Sequence, residues 1–211
     1  MKTFFKSELS RNVLTLMSGT TLAQVIAVIS TPVLTRIYTP VEFGTFAFLM
    51  SVTAILTVIV TGRYELAVML PSGNKKASDL VWLSIMIAFI FSCIILLIIF
   101  RFREYINSLI GSEGPSYLLF FIPVALLSGA VMRAYSYYCN RNKEYKKIAI
   151  SGILNTLFSS LIKIILGILY RPLGLFAGFI NGQIISVGYL VWSSQKLCRF
   201  PARKEIAKAA S

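Results

Sequence analysis

The stretch LVWLSIMIAFIFSCIILLIIF, residues 80–100, carries no charged residue over 21 positions. At ~1.5 Å of rise per residue, a helix of that length covers the roughly 30 Å hydrocarbon core of a bilayer. Because it is apolar all round, it is expected to face lipid as scaffold rather than line a polar path. Five further runs of similar length flank it, near residues 12–35, 43–61, 117–139, 148–169 and 173–193. They are too long, and too free of strict period-two alternation, for a membrane barrel, so helices are left to satisfy the backbone's polar groups in lipid. The expected fold is an all-α integral membrane bundle: a six-span lobe over residues 1–193, then a basic tail over 194–211.

Composition agrees with this class. Hydrophobic residues make up 56% of the 211, charged residues 14%, and the mean hydropathy is +0.76, more apolar surface than a soluble domain of this length buries. Cys93, Cys139 and Cys198 fit neither a disulfide framework nor a metal site. There is no histidine, which excludes histidine catalysis and His-ligated metals, and no cofactor is expected. The opening MKTFFKSELSRN is followed by an apolar run too long for a signal-peptide core and without a cleavage pattern, so the first span is expected to remain.

The chain carries a net charge of +13, and its 21 Lys and Arg are distributed unevenly. With the N-terminus placed in the cytoplasm, only Arg36, Arg101, Arg103 and Arg171 fall outside, Arg133 and Lys163 fall within spans, and the rest face the cytoplasm. By the positive-inside rule both termini are expected to be cytoplasmic. Basic residues scattered over separate loops and tails do not form a nucleic-acid groove, so no nucleic-acid partner is expected; the charge reflects topology and contact with anionic membrane lipids. The connector NRNKEYKKIAIS (140–151) is expected to rest on lipid phosphates.

Arg133 and Lys163 are the two ionised groups in the middle of spans, and no Asp or Glu joins them there. A charge at that depth costs ~2.5–3.5 kcal/mol even on permissive scales, so both are expected to face a polar cavity. Two cations without carboxylates suggest an anionic ligand. Ser151, Asn155, Ser159 and Lys163 recur every fourth residue, forming one ridge of the fifth span, and Arg133, Ser136, Tyr137 and Asn140 share a face of the fourth. The first span carries Thr20, Gln24 and Thr31, and Pro32 where a helix can bend. Three such faces are expected to enclose a hydrated path, although hydroxyls and amides in membrane helices also serve as interhelical hydrogen-bond glue.

Two further features concern contacts. Gly174, Gly178 and Gly182 in GLFAGFING make a small-residue face on the sixth span, where another helix can approach closely; the partner helix, in this chain or a second copy, stays open. Arg63 and Glu65, at the inner end of the second span, are read as a cytoplasmic gate or vestibule pair, with an ordinary interfacial ion pair as the alternative.

Three longer runs carry a family likeness: RNVLTLMSGTTLAQVIAVISTPVLTRIYTPVEFGTFAFLM (11–50), TGRYELAVMLPSGNKKASDLV (61–81) and YCNRNKEYKKIAISGILNT (138–156). They resemble the N-terminal half of bacterial polysaccharide-export flippases, the Wzx-type O-antigen and capsule translocases of the multidrug/oligosaccharidyl-lipid/polysaccharide exporter superfamily. LTRIYTPVEFG (34–44) and GRYELAVMLP (62–71) are the most specific pieces. The resemblance implies an inner-membrane transporter that flips undecaprenyl-pyrophosphate-linked oligosaccharide units, with two lobes alternating access around a central cavity. It implies that Arg133 and Lys163 stabilise pyrophosphate or acidic sugars, while Gln24, Asn155 and Asn181 offer hydrogen bonds to sugar hydroxyls. It also implies chains about twice as long. This one is therefore expected to be a first lobe, as a fragment, a truncated product, or a half that pairs with a second lobe or a second copy.

Two other functions stay open. A small-molecule antiporter of the same superfamily would hold acids in its membrane core, whereas Glu8, Glu42, Glu65, Asp79, Glu104, Glu113, Glu144 and Glu205 fall in loops or at span ends. A non-transporting component assembled with a glycan polymerase or transferase would share the architecture. An enzyme is not expected, since no catalytic cluster or phosphate-binding glycine loop is present.

Overall fold

The computed structural model describes residues 8–61, 66, 68–69, 74–110 and 116–194. Six long helices account for nearly all of them: α1 Glu8–Ile37, α2 Pro40–Thr61, α3 Asn74–Ile110, α4 Phe121–Arg141, α5 Tyr145–Leu169 and α6 Arg171–Ser194. A five-residue 3-10 helix, Ser116–Phe120, leads into α4. Each long helix contains a segment long and apolar enough to cross a membrane, so the chain is a multi-pass, all-α membrane bundle. Arg63, Glu65 and the tail beyond Ser194 lie outside the described residues.

Helix ends follow local chemistry. Thr39 caps α2: its hydroxyl accepts the Glu42 N–H (3.3 Å), the Glu42 carboxylate accepts the Thr39 N–H (2.7 Å), and Pro40 occupies the first helical position, where no N–H is needed. α1 continues through Pro32 to Ile37. The regular helix of α3 breaks at Phe102 (φ −117°, ψ 17°), just past the apolar stretch. α4 ends in a Schellman motif, with Glu144 N–H on Cys139 O (2.9 Å), Lys143 N–H on Asn140 O (3.0 Å) and Lys143 in the left-handed region at φ 59°.

Neighbours do not follow chain order. α5 and α6 make the most extensive contact, α1 lies on the outside of α5, and α4 sits centrally against α2, α3 and α6. Two buried clusters occupy the two ends of the bundle. Near the α1–α2 turn, Tyr38, Leu118, Ile122, Leu126, Leu175 and Phe176 are buried together; near the α4–α5 turn the cluster is Val81, Ala134, Tyr135, Tyr138, Cys139 and Leu190. We call these the Tyr38 end and the Asn142 end.

The buried side of α3 carries Ser78, Ser84, Ala88 and Ser92, and the Ser92 hydroxyl donates to Pro123 O (2.7 Å), while Leu97 and Phe100 are exposed. That is membrane-protein logic: small and hydroxyl-bearing residues go between helices, and large apolar ones go to lipid. Asp79 is also buried, in the early turns of α3, and has a polar partner.

Candidate functional site

A cleft of about 670 Å³ opens between α2, α4, α5 and α6. α2 contributes Phe46, Met50, Thr53 and Thr57; α4 contributes Gly129, Met132, Arg133, Ser136 and Tyr137; α5 contributes Lys163; α6 contributes Phe179 and Gln183. On α2 and α4 the lining residues recur at three- and four-residue spacing, so each set is one helix face. Toward the Tyr38 end the cleft meets a cluster of rings. Phe46 stands edge-on to Phe176 and Phe179, with centroids 5.2 and 6.0 Å away, and Phe121 lies 5.7 Å from Phe176.

Lys163 reaches into this cleft over the rings. Its ammonium lies 5.0 Å from the Phe46 centroid and 5.9 Å from that of Phe179, an arrangement that offsets part of its desolvation. Its stem crosses α6 where Gly178 has no side chain; a Cβ there would collide with Lys163 Cγ and stand 2.8 Å from Lys163 N. The Lys163 carbonyl is held separately, because Tyr38 donates its hydroxyl to Lys163 O at 2.7 Å. Tyr38 reaches that point through a notch at Gly167 and Gly174, where any Cβ would strike the phenol oxygen. Burial, helped by the nearby Glu42 carboxylate, pushes the Tyr38 phenol up to about 12, so it remains a neutral donor.

Arg133 lies farther along α4 toward the Asn142 end, exposed on the cleft wall. Among the described residues neither Arg133 nor Lys163 has a hydrogen-bonding or carboxylate partner for its charged group, and no acid lines the cleft. Some of the other polar groups are committed: the Thr53 and Thr57 hydroxyls bond to the carbonyls of Leu49 (2.8 Å) and Thr53 (2.6 Å) within α2, and Ser128 donates to Gln183 Oε1 (2.5 Å), which leaves the Gln183 amide N–H groups and the Tyr137 hydroxyl. The walls thus present two cations over a largely apolar and aromatic surface, which suits an anion carried on an organic body.

A family model described as polysaccharide biosynthesis protein matches residues 33–210, most of the chain. The chain belongs to this family. No curated protein and no solved structure matches it. Family membership gives the molecule a role in polysaccharide biosynthesis and export, and both cleft cations fall within the matched region.

Of the residues singled out from sequence as cavity ligands, the structure brings Arg133 and Lys163 to one cleft and places the other three elsewhere. Gln24 is exposed on α1, which does not reach the cleft, and the Thr20 and Thr31 hydroxyls beside it bond to carbonyls of α1 itself. Asn155 sits in the α5–α6 seam, its carbonyl 2.7 Å from where a Gly182 Cβ would stand and its amide toward Met132 Sδ at 4.0 Å. Asn181 is exposed and donates to Ala177 O (2.8 Å).

The expected path between spans one, four and five is instead a cleft between spans two, four, five and six. Gly174, Gly178 and Gly182 face α5 of the same chain, so their face is not available as the contact to a second copy considered above. The cleft also takes in Thr53, Thr57 and Gln183, which are not among the cavity residues expected from sequence. The four-residue spacing of the two threonines was a usable signal, whereas nothing local marks Gln183 as facing α4.

Proposed function

We propose that the cleft receives the anionic head of a lipid-linked glycan. On this reading the chain forms one lobe of a translocase that moves undecaprenyl-pyrophosphate-linked oligosaccharide units across the bacterial inner membrane, with both termini in the cytoplasm. The observation that carries it is the pair Arg133 and Lys163, uncompensated by any carboxylate, on the wall of one cleft among membrane spans. A pyrophosphate is the part of such a substrate least able to enter hydrocarbon, and fixed cations lower that cost. The rings of Phe46 and Phe179 offer sugar faces an apolar platform, and Tyr137 and Gln183 offer hydrogen-bonding groups. Because the cleft is open on one side, alternating access requires a facing wall from a second lobe or a second copy.

The test is complementation of a strain that lacks its own flippase, using the protein as it occurs in its native gene. Replacing Arg133→Gln and Lys163→Met together should lower surface glycan by about tenfold or more, the loss of ~1.4 kcal/mol of attraction, and lipid-linked intermediate should accumulate on the inner leaflet. Unchanged surface glycan at unchanged protein level would sink the proposal.

A further inference from the structure

A second hollow, of about 470 Å³, lies at the Asn142 end, between the start of α1 and the α4–α5 turn. Its walls carry Arg11 from α1 and Lys143, Lys146 and Lys147 from the turn and the first residues of α5, with Glu144 as the one acid. The hollow therefore bears a net charge of three positive. It lies in the fork where α1 and α5 diverge, one to two turns from the close contact of Gly19 with Ala149.

The charges do not all serve the fold. Lys147 is engaged, paired with Glu144 at 2.5 Å and donating to Ser193 O at 2.7 Å, and Lys143 also has a partner. Arg11 and Lys146 have no carboxylate partner among the described residues. Lys146 is unfavourably placed without an anion: it stands in the first turn of α5, where the helix dipole opposes positive charge, and no acid stands in that turn. Glu144, the residue before the helix, makes no capping bond.

Depth and surroundings narrow the anion. Arg11 and Tyr145 begin the membrane-crossing segments of α1 and α5, which sets the hollow at headgroup level. One helical turn into the membrane, Leu14 lies beneath Arg11 and Ile150 beneath Lys146, exposed by 49% and 41%. Cations over exposed aliphatic side chains on two diverging helices form the negative image of an amphiphile with a charged phosphate and hydrocarbon chains.

We propose that this hollow binds the phosphate of an anionic phospholipid, with Arg11 and Lys146 as its principal contacts and the acyl chains lying over Leu14 and Ile150. A lipid so placed braces α1, whose one extensive neighbour among the described residues is α5. The site is separate from the cleft, and its occupancy does not depend on what the cleft carries.

The test is native mass spectrometry of the full chain in a neutral detergent, titrated with phosphatidylglycerol and, separately, with phosphatidylcholine of the same acyl chains. Phosphatidylglycerol should be retained and phosphatidylcholine not. Arg11→Gln with Lys146→Gln should weaken phosphatidylglycerol by about twenty-fivefold, at about fivefold for each interfacial cation removed. Arg11→Lys with Lys146→Arg should keep the affinity, as should Arg171→Gln at the opposite end, and the single neutral variants should give intermediate losses if the double variant fails to fold. Equal retention of the two lipids, or undiminished affinity after neutralisation, would overturn the proposal. Displacement of phosphatidylglycerol by millimolar inorganic phosphate would overturn the lipid assignment in favour of a free-phosphate site.

Discussion

Lys163 holds an ammonium inside a membrane span by surrounding it with rings rather than oxygens. Contacts to Phe46 and Phe179 return ~0.5–2 kcal/mol against an insertion cost of ~2.5–3.5 kcal/mol, so a deficit remains that an anion in the cleft would remove. Gly178 is the residue that makes this placement possible. Gly178→Ala puts a Cβ against the Lys163 stem and 2.9 Å from Ser159 O, with an expected overpacking cost of ~1–3 kcal/mol. Thermal unfolding in detergent should show the lower stability, and Lys163 should become more reactive to an amine-acetylating reagent as its head leaves the rings; unchanged reactivity would argue that the stem tolerates the methyl group. Lys163 and Gly178 are each legible in the sequence, one as a charge in a span and the other as part of a small-residue stripe. That the second makes room for the first depends on the register between two helices, which neither helix's own sequence specifies.

At the level of elements, the segment LTRIYTPVEFG (34–44), which lies within the matched region, does local structural work. Thr39, Pro40 and Glu42 start α2 with a reciprocal cap, and Tyr38, one residue earlier, inserts into the α5–α6 seam. The turn between α1 and α2 is thereby tied to the pair of helices that carry Lys163 and Phe179. Thr39→Ala removes the hydroxyl that accepts the Glu42 N–H and is expected to cost about 1 kcal/mol, seen as a fall of roughly 2–4 °C in the melting midpoint. No change in the midpoint would mean that Tyr38 alone fixes the start of α2. Helix number and extent were readable because each apolar run is bounded by charge. Which faces meet was not: the polar ridge Ser151, Asn155, Ser159, Lys163 reads as a cavity wall, yet its first three members sit in the α5–α6 seam, with Ser151 O accepting from Ser186 (2.9 Å), and only Lys163 emerges into the cleft.

Across the whole molecule, the cleft exists because α2 rests on α4 and touches α6 mainly through Phe46, leaving space along the rest of its length. With both termini in the cytoplasm, as proposed from the charge asymmetry, the Asn142 end would face the cytoplasm. In a background without Cys93, Cys139 and Cys198, a membrane-impermeant thiol reagent should label Tyr170→Cys in intact cells and Ala209→Cys only after permeabilisation; the opposite pattern would invert the topology. Residue order alone carries six helices long and apolar enough to cross a membrane, the two cations placed within those spans and, through the family match, a part in polysaccharide biosynthesis. Those properties come from composition and length, which act along one helix at a time. It is the packing of the helices that makes spans two, four, five and six rather than one, four and five enclose the cleft, fills the glycine face with α5, and sets Gln24, Asn155 and Asn181 apart from Arg133 and Lys163. The reason is physical: in lipid every outward face is apolar enough, so hydropathy does not distinguish a helix's neighbours, and the choice is made by close contacts of small residues and shared hydrogen bonds between particular helices.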